Sequence, residues 1–128
     1  MSKEAVTTSK VLLEAAQTNT DLWRNNSGGF YNDRGGFVRY GLGSFTEKDE
    51  LKSSDYVGIT PVLITPEMVG TFVGVFTAVE MKPKGWKFNS NDKRSLYQKN
   101  FIDIVKSRYA YAGFAQDIED YRKIVRNG

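Results

Sequence analysis

Between Val69 and Val79 the chain runs for eleven residues without a charge. Read with the two-residue period of a strand, Phe72, Gly74, Phe76 and Ala78 fall on one face, and Val73, Val75, Thr77 and Val79 on the other. Both faces are nearly free of polar groups. A strand apolar on both sides is expected in the middle of a sheet, with helices covering it above and below.

The elements around that run fit such a sheet. Thr7 or Thr8 can cap a first helix whose buried stripe is Val11, Leu12, Ala15 and Ala16, ending before Asn19. Strands follow over Asp21–Asn25 and Phe37–Leu42, separated by an Asn26-Ser27-Gly28-Gly29 turn. Residues 44 to 54 are charged and read as a solvated loop, after which Tyr56–Ile59 resumes a strand. Pro61, Pro66 and Gly70 punctuate the approach to the apolar run, and residues 84 to 88 form a loop beyond it. Asn91 or Asp92 can cap a helix reaching Ser107, Tyr109–Ala115 is a small-residue strand, and Asp117 caps a last helix with Ile118, Tyr121 and Val125 inward. This order predicts an α/β fold, one domain over residues 1–128.

Composition excludes whole classes of chemistry. With no cysteine and no histidine, zinc sites, thiol nucleophiles, disulfides and every histidine-based catalytic arrangement are absent. Acid–base or metal chemistry must rest on Asp, Glu, Lys, Tyr and backbone oxygens. No apolar stretch reaches the length of a membrane span, and residues 1 to 9 are polar, so a cytoplasmic protein with no membrane association is expected. Charge is uneven. Met1 to Glu80 carries 7 basic and 10 acidic residues, Met81 to Gly128 carries 11 basic and 5 acidic. A basic C-terminal part suits a polyanionic partner; the plainer reading is solvated helix faces.

The charge-free run ends in Glu80-Met81-Lys82, which puts an acid and a base two residues apart on one face. A carboxylate there can take a divalent cation while the ammonium orients or deprotonates a water. Mg²⁺ sites on phosphate esters commonly use two carboxylates, and Asp55, at the start of the Tyr56–Ile59 strand, is the natural second, facing the same cavity if a hairpin returns beside it. In the following helix Gln98, Phe101, Ile102 and Val105 share a stripe, so the Gln98 amide opens an apolar face and can bind the attacking water or a phosphate oxygen. Glu-x-Lys spacing alone carries little information, and Glu50-Leu51-Lys52 repeats it inside the charged loop. The competing reading of Glu80 and Lys82 is an ion pair at a sheet end. That of Gln98 is a helix-end amide satisfied by backbone.

Taken in order, Asp55, Glu80-Met81-Lys82 and Gln98 resemble the VRR-NUC family of PD-(D/E)xK nucleases, in particular its stand-alone, phage-encoded members. The segments Leu22 to Gly28, Arg39 to Leu42, Ser53 to Asp55, Thr65 to Gly70 and Val75 to Lys82 carry the likeness, which extends from about Val11 to Ala115. The resemblance implies a restriction-endonuclease-like mixed sheet flanked by helices, dependence on Mg²⁺ or Mn²⁺, a homodimer, and cleavage of branched or flapped DNA such as a Holliday junction. It implies Asp55, Glu80 and the Met81 carbonyl as metal ligands, Lys82 as catalytic lysine and Gln98 as the motif glutamine. Arg24, Asn25, Lys84 and Lys87 would meet DNA, and the location would be a bacterial host's cytoplasm. The family's Gly-x-Pro-Asp turn is Lys52-Ser53-Ser54-Asp55 here. An additional acid on the first helix, common in the superfamily, would be Glu14 or Glu4. The alternatives are a DNA-binding module that does not cut, a monomeric flap or nicking nuclease, and a host-interaction protein. The apolar residues Phe30, Tyr31, Phe37 and Phe45 are candidates for the dimer contact.

Overall fold

A computed structural model describes residues 2–26, 28–42 and 54–126 of the chain. The charged loop, with Phe45 and the Glu50-Leu51-Lys52 repeat, lies outside the described residues, apart from its last residue, Ser54. Two compact units are formed, Met1–Gly58 and Ile59–Gly128. Among the described residues they hold three α-helices, a short 3-10 turn at Pro66–Met68 and three two-stranded sheets, a mixed α/β architecture in which no described helix is long and apolar enough to cross a membrane.

In the first unit α1 spans Lys3–Gln17, five residues earlier than a Thr7 cap would have allowed, because the Ser2 hydroxyl caps it by accepting the Ala5 N–H at 3.0 Å. Thr7 and Thr8 instead bond back to carbonyls one turn earlier. The helix stops where expected: Asn19 takes φ 61°, the left-handed conformation that ends helices and that asparagine tolerates. Of its predicted stripe only Ala15 is buried; Val11, Leu12 and Ala16 are exposed. Strands β1 (Asp21–Arg24) and β4 (Tyr56–Ile59) form one sheet, while β2 (Gly28–Tyr31) and β3 (Phe37–Tyr40) form an antiparallel hairpin with Gly28 opposite Tyr40 and Tyr31 opposite Phe37. Asp21 lies against Gly58 and Asn25 bonds to Asp55, so β1 and β4 run in opposite directions.

The second unit is built on β5 (Thr77–Met81), α2 (Lys93–Ser107), β6 (Tyr111–Ala115) and α3 (Ile118–Arg126). β5 and β6 pair in parallel, Thr77 beside Tyr111 through Met81 beside Ala115, with α2 as the crossover parallel strands require. The two helices cover opposite faces of this sheet. Glu80 meets Gln98 of α2, whereas the alternate face at Gly113 meets Ile124 of α3, whose Cγ1 would lie 2.8 Å from a Cβ there. The core is Ile102 and the fully buried Val105 with Ala110, Ala112 and Ala115; of the predicted α2 stripe Ile102 and Val105 lie inward, Gln98 is half-buried, and Phe101 is exposed. In α3 the inward residues are Ile124 and Val125; Ile118 and Tyr121, expected inward, are exposed.

The apolar run that led to a buried central strand behaves differently. Only its last three residues, Thr77 to Val79, enter β5; residues 69 to 75 are exposed and Phe72 completely so. Gly70 takes φ +86° and Thr71 bonds back to the Met68 carbonyl through both its N–H (3.1 Å) and its hydroxyl (2.6 Å), a turn in place of extended chain. A strand needs backbone partners as well as apolar side chains, and β6 is long enough to pair only from Thr77 onward. The hairpin expected between the Asp55 and Glu80 strands is not formed either: β4 pairs with β1 and β5 with β6. Likewise β6 begins at Tyr111, not Tyr109, because Tyr109 (φ 66°) and Ala110 close α2, the Ala110 N–H donating to Val105 at 3.3 Å.

Asp92 and Asp117 fix the ends of the helices around the site. Asp92 caps α2, accepting the Ser95 hydroxyl at 2.6 Å and the Arg94 N–H at 3.3 Å; Asp117 accepts the Asp120 N–H at 2.8 Å and pairs with Lys84 at 2.6 Å. Both carboxyls are held below the usual aspartate range, Asp92 chiefly by the Ser95 hydroxyl and Asp117 chiefly by the Lys84 ammonium, which is itself held above its usual value by Asp117. A depressed carboxyl stabilises fully above its unfolded pKa of about 3.9 and loses that contribution as pH falls through its folded value. Urea midpoints should therefore separate wild type from Asp117→Asn at neutral pH and converge in acid below the aspartate range. Equal separation at both pH values would remove this pairing as a source of stability.

Candidate functional site

Glu80 and Lys82 stand where β5 ends. Glu80 lies beside Phe114 in the parallel register, and the Lys82 N–H extends the ladder one step by donating to the Ala115 carbonyl at 2.9 Å. The half-buried Glu80 carboxylate accepts the Gln98 amide at 2.9 Å. Lys82 turns elsewhere. Its ammonium sits 5.0 Å from the centre of the Trp86 ring and 5.8 Å from that of Phe114, within the range of cation–π attraction. Among the described residues neither Glu80 nor Lys82 enters a salt bridge. The simple ion pair at a sheet end is thus not what this geometry contains. Lys82 also lies close enough to Asp92 to add, after the Ser95 hydroxyl and the backbone N–H bonds, to the lowering of that carboxyl.

The aromatic seat under Lys82 is fixed from the far end of β6. Gln116 accepts the Gly85 N–H with its side-chain oxygen (2.9 Å) and donates its amide to the Trp86 carbonyl (2.9 Å), gripping the loop on both sides of a glycine at φ +91°. Trp86 then packs on Phe114 at 4.7 Å between ring centres. Neither Gln116 nor Trp86 was singled out by the sequence. The available signal was weak: a glutamine directly after a small-residue strand, and a tryptophan after a glycine.

Gln98 holds Glu80 with one end of its amide, while its other end, Oε1, is buried and accepts no hydrogen bond from the described residues. An orphaned buried acceptor is costly unless a water, cation or ligand atom completes it. Beside it opens a cavity of about 600 Å³ walled by Glu80, Gln98, Ala78 and, from α2, Arg94, Tyr97 and Phe101.

Asp55 belongs to the first unit, Glu80, Lys82 and Gln98 to the second. Asp55 is exposed, and its backbone is held by Asn25: the Asn25 N–H donates to the Asp55 carbonyl (2.7 Å) and the Asn25 amide to the Ser54 carbonyl (2.7 Å). Asn25 is therefore engaged in positioning the segment before Asp55, and its amide is not presented outward. Of the residues expected to meet DNA, Arg24 donates to Asn26 (3.2 Å), Lys84 is paired with Asp117, and Lys87 is exposed. Glu4 and Glu14 are both exposed on α1, and Met81 holds its backbone in β5 with its side chain outward.

Among the described residues no group of three or more acidic side chains gathers where one ion would sit. Mg²⁺, however, is commonly bound through one or two carboxylates with waters and phosphate oxygens as its other ligands. The Glu80 carboxylate and the orphaned Gln98 oxygen are hard oxygen donors of that kind, so the second unit's residues fit the chemistry of such an ion. Compared with models of protein families, with curated proteins and with solved structures, the chain matches none.

Proposed function

We propose that the chain is a metal-dependent endonuclease of the VRR-NUC type that hydrolyses a phosphodiester in branched DNA. The observation that carries this reading is the division of labour at the end of β5, where Glu80 is oriented by Gln98 and Lys82 is kept apart from it, over aromatic faces. Held by different neighbours and not by each other, Glu80 and Lys82 are both available on one strand face to a third group. In this reading Glu80 and the Met81 carbonyl would hold Mg²⁺ or Mn²⁺, which supplies positive charge at the scissile phosphate and acidifies water, and Asp55 is the further carboxylate that the resemblance implies. Lys82 orients the attacking water and offsets charge on the phosphate, and Gln98 fixes the Glu80 carboxylate. The parallel β5–α2–β6 unit, covered by a helix on each face, is compatible with a restriction-endonuclease-like core.

A DNA-binding module that does not cut is the second reading, favoured by the absence of a three-acid cluster among the described residues. Incubation with Holliday junction, flap, splayed-arm and linear duplex DNA in Mg²⁺, Mn²⁺ or EDTA separates the two. Cleavage of a branched substrate with metal, none in EDTA, and loss of cleavage with retained binding in Glu80→Gln and Asp55→Asn are expected. Metal-independent cutting, or cutting by either variant at the wild-type rate, sinks the nuclease assignment.

A homodimer belongs to the same proposal, since two nicks placed symmetrically in a junction need two centres related by a two-fold axis. Phe30, Tyr31 and Phe37 on the β2–β3 hairpin are 51, 76 and 52% exposed, apolar surface of the kind such a contact covers. Light scattering at micromolar concentration should give twice the chain mass; a monomer both free and on DNA would leave a single-nick enzyme.

A further inference from the structure

The cavity beside Glu80 has a wall that metal-dependent hydrolysis does not require. Arg94, Tyr97 and Phe101 follow one another along α2 at three- and four-residue spacing and so share a helix face with Gln98, one above another. Tyr97 is 64% exposed, its ring stacks on no other aromatic and its hydroxyl bonds to nothing among the described residues. Arg94 uses only its backbone N–H, in the Asp92 cap; its guanidinium enters no salt bridge, whereas Lys99 on the same helix is paired with Asp103 at 2.7 Å. An open aromatic face and a planar guanidinium that pairs with no carboxylate among the described residues thus line a cavity whose volume is ordinary for a small-ligand site. The chain from Met81 onward carries 11 basic residues against 5 acidic, which favours an anionic occupant.

We infer that this cavity takes an unpaired nucleotide of DNA, its base stacked on Tyr97 and its phosphate on Arg94. Both faces of a base inside a duplex are covered by its neighbours, so only an unstacked base can offer its ring to Tyr97. The inference rests on the nuclease reading for its choice of nucleic acid and deepens it: the strand delivered towards Glu80 is a single-stranded or splayed segment, not continuous duplex.

The test is binding in EDTA, where cleavage plays no part. Fluorescence anisotropy with the full chain compares a fluorescein-labelled oligo(dT) of about twelve nucleotides with a duplex of equal length, within the site sizes single-strand binders cover. Tyr97→Ala should weaken oligo(dT) binding by about 5- to 100-fold with far less effect on the duplex, and Tyr97→Phe, which keeps the ring, should stay within roughly twofold of wild type. Arg94→Ala should lower the salt dependence of single-strand binding by about one phosphate contact. Oligo(dT) binding by Tyr97→Ala at wild-type strength, or an equal loss on both probes, overturns the inference. If Tyr97-dependent binding is found but no metal-dependent cutting, the inference stands and the nuclease reading fails. If branched DNA is cut but Tyr97→Ala binds oligo(dT) as wild type does, the nuclease reading stands and this inference fails.

Discussion

On the proposed nuclease reading, Lys82→Met should reduce the single-turnover cleavage rate by about three orders of magnitude, the scale of a lost proton-transfer or water-orienting group, while the protein melts close to the wild-type temperature. The expectation of nearly unchanged folding comes from the geometry. Lys82 lies over Trp86 and Phe114, and methionine keeps an unbranched apolar chain to cover the same rings. No salt bridge is lost, because the Glu80 carboxylate is held by Gln98 and not by Lys82. What goes is the cation–π attraction, about 0.5–1 kcal/mol at a partly exposed site, and the weaker pull of the ammonium on Asp92, which keeps its Ser95 and backbone bonds. Were Lys82 merely a counter-charge for Glu80, the variant would melt lower and cleave at a rate tracking its folded fraction. Thermal melts beside single-turnover rates distinguish the two, and a folded Lys82→Met protein cutting at the wild-type rate would remove Lys82 from the reaction.

Gly58→Ala should cost about 3 kcal/mol, the upper range for forcing atoms into packed structure, and lower the melting temperature by roughly 10 °C. A Cβ at Gly58 would run into the Asp21 carbonyl and lie 3.0 Å from the Leu22 Cα, so the obstacle is backbone, which cannot rotate aside as a side chain can. To admit it, β1 must part from β4. The same pair of strands carries the Asn25–Asp55 and Asn25–Ser54 bonds, so the turn that presents Asp55 should loosen with it. Gly113→Ala makes a useful comparison: its obstruction is the Ile124 side chain at 2.8 and 2.9 Å, which can adopt another rotamer, and the loss should be smaller. Denaturant melts of the two variants give the order directly. A Gly58→Ala protein as stable as wild type would mean that β1 and β4 do not approach as closely as described.

What could be read along the chain was what local chemistry controls. The cap of α2 at Asn91 or Asp92, of which Asp92 is the one used, its end near Ser107, the inward Ile102 and Val105, the end of α1 before Asn19 and the strand at Tyr56–Ile59 all depend on residues within a turn or two of one another. So does the placing of Glu80 and Lys82 at the edge of an uncharged segment. The error over Val69 to Val79 has the same origin: alternation reports which side chains are apolar, not whether a neighbouring backbone is there to pair with, and most of that run found none. Partners far apart in sequence were decided by tertiary structure alone. Gln98 reaches Glu80 across 18 residues, Asn25 reaches Ser54 across 29, and Gln116 reaches Gly85 and Trp86 across about 30, each a single polar bond with no periodic signature. The sequence by itself thus determined the residue types at the site and the element each stands on, whereas local pattern misplaced the cap of α1 and the inward faces of α1 and α3, because which face is buried depends on what packs against it. Only the folded chain decided that Lys82 would rest on aromatic rings instead of pairing with Glu80, since that choice depends on which side chains the parallel pairing of β5 and β6 brings within reach.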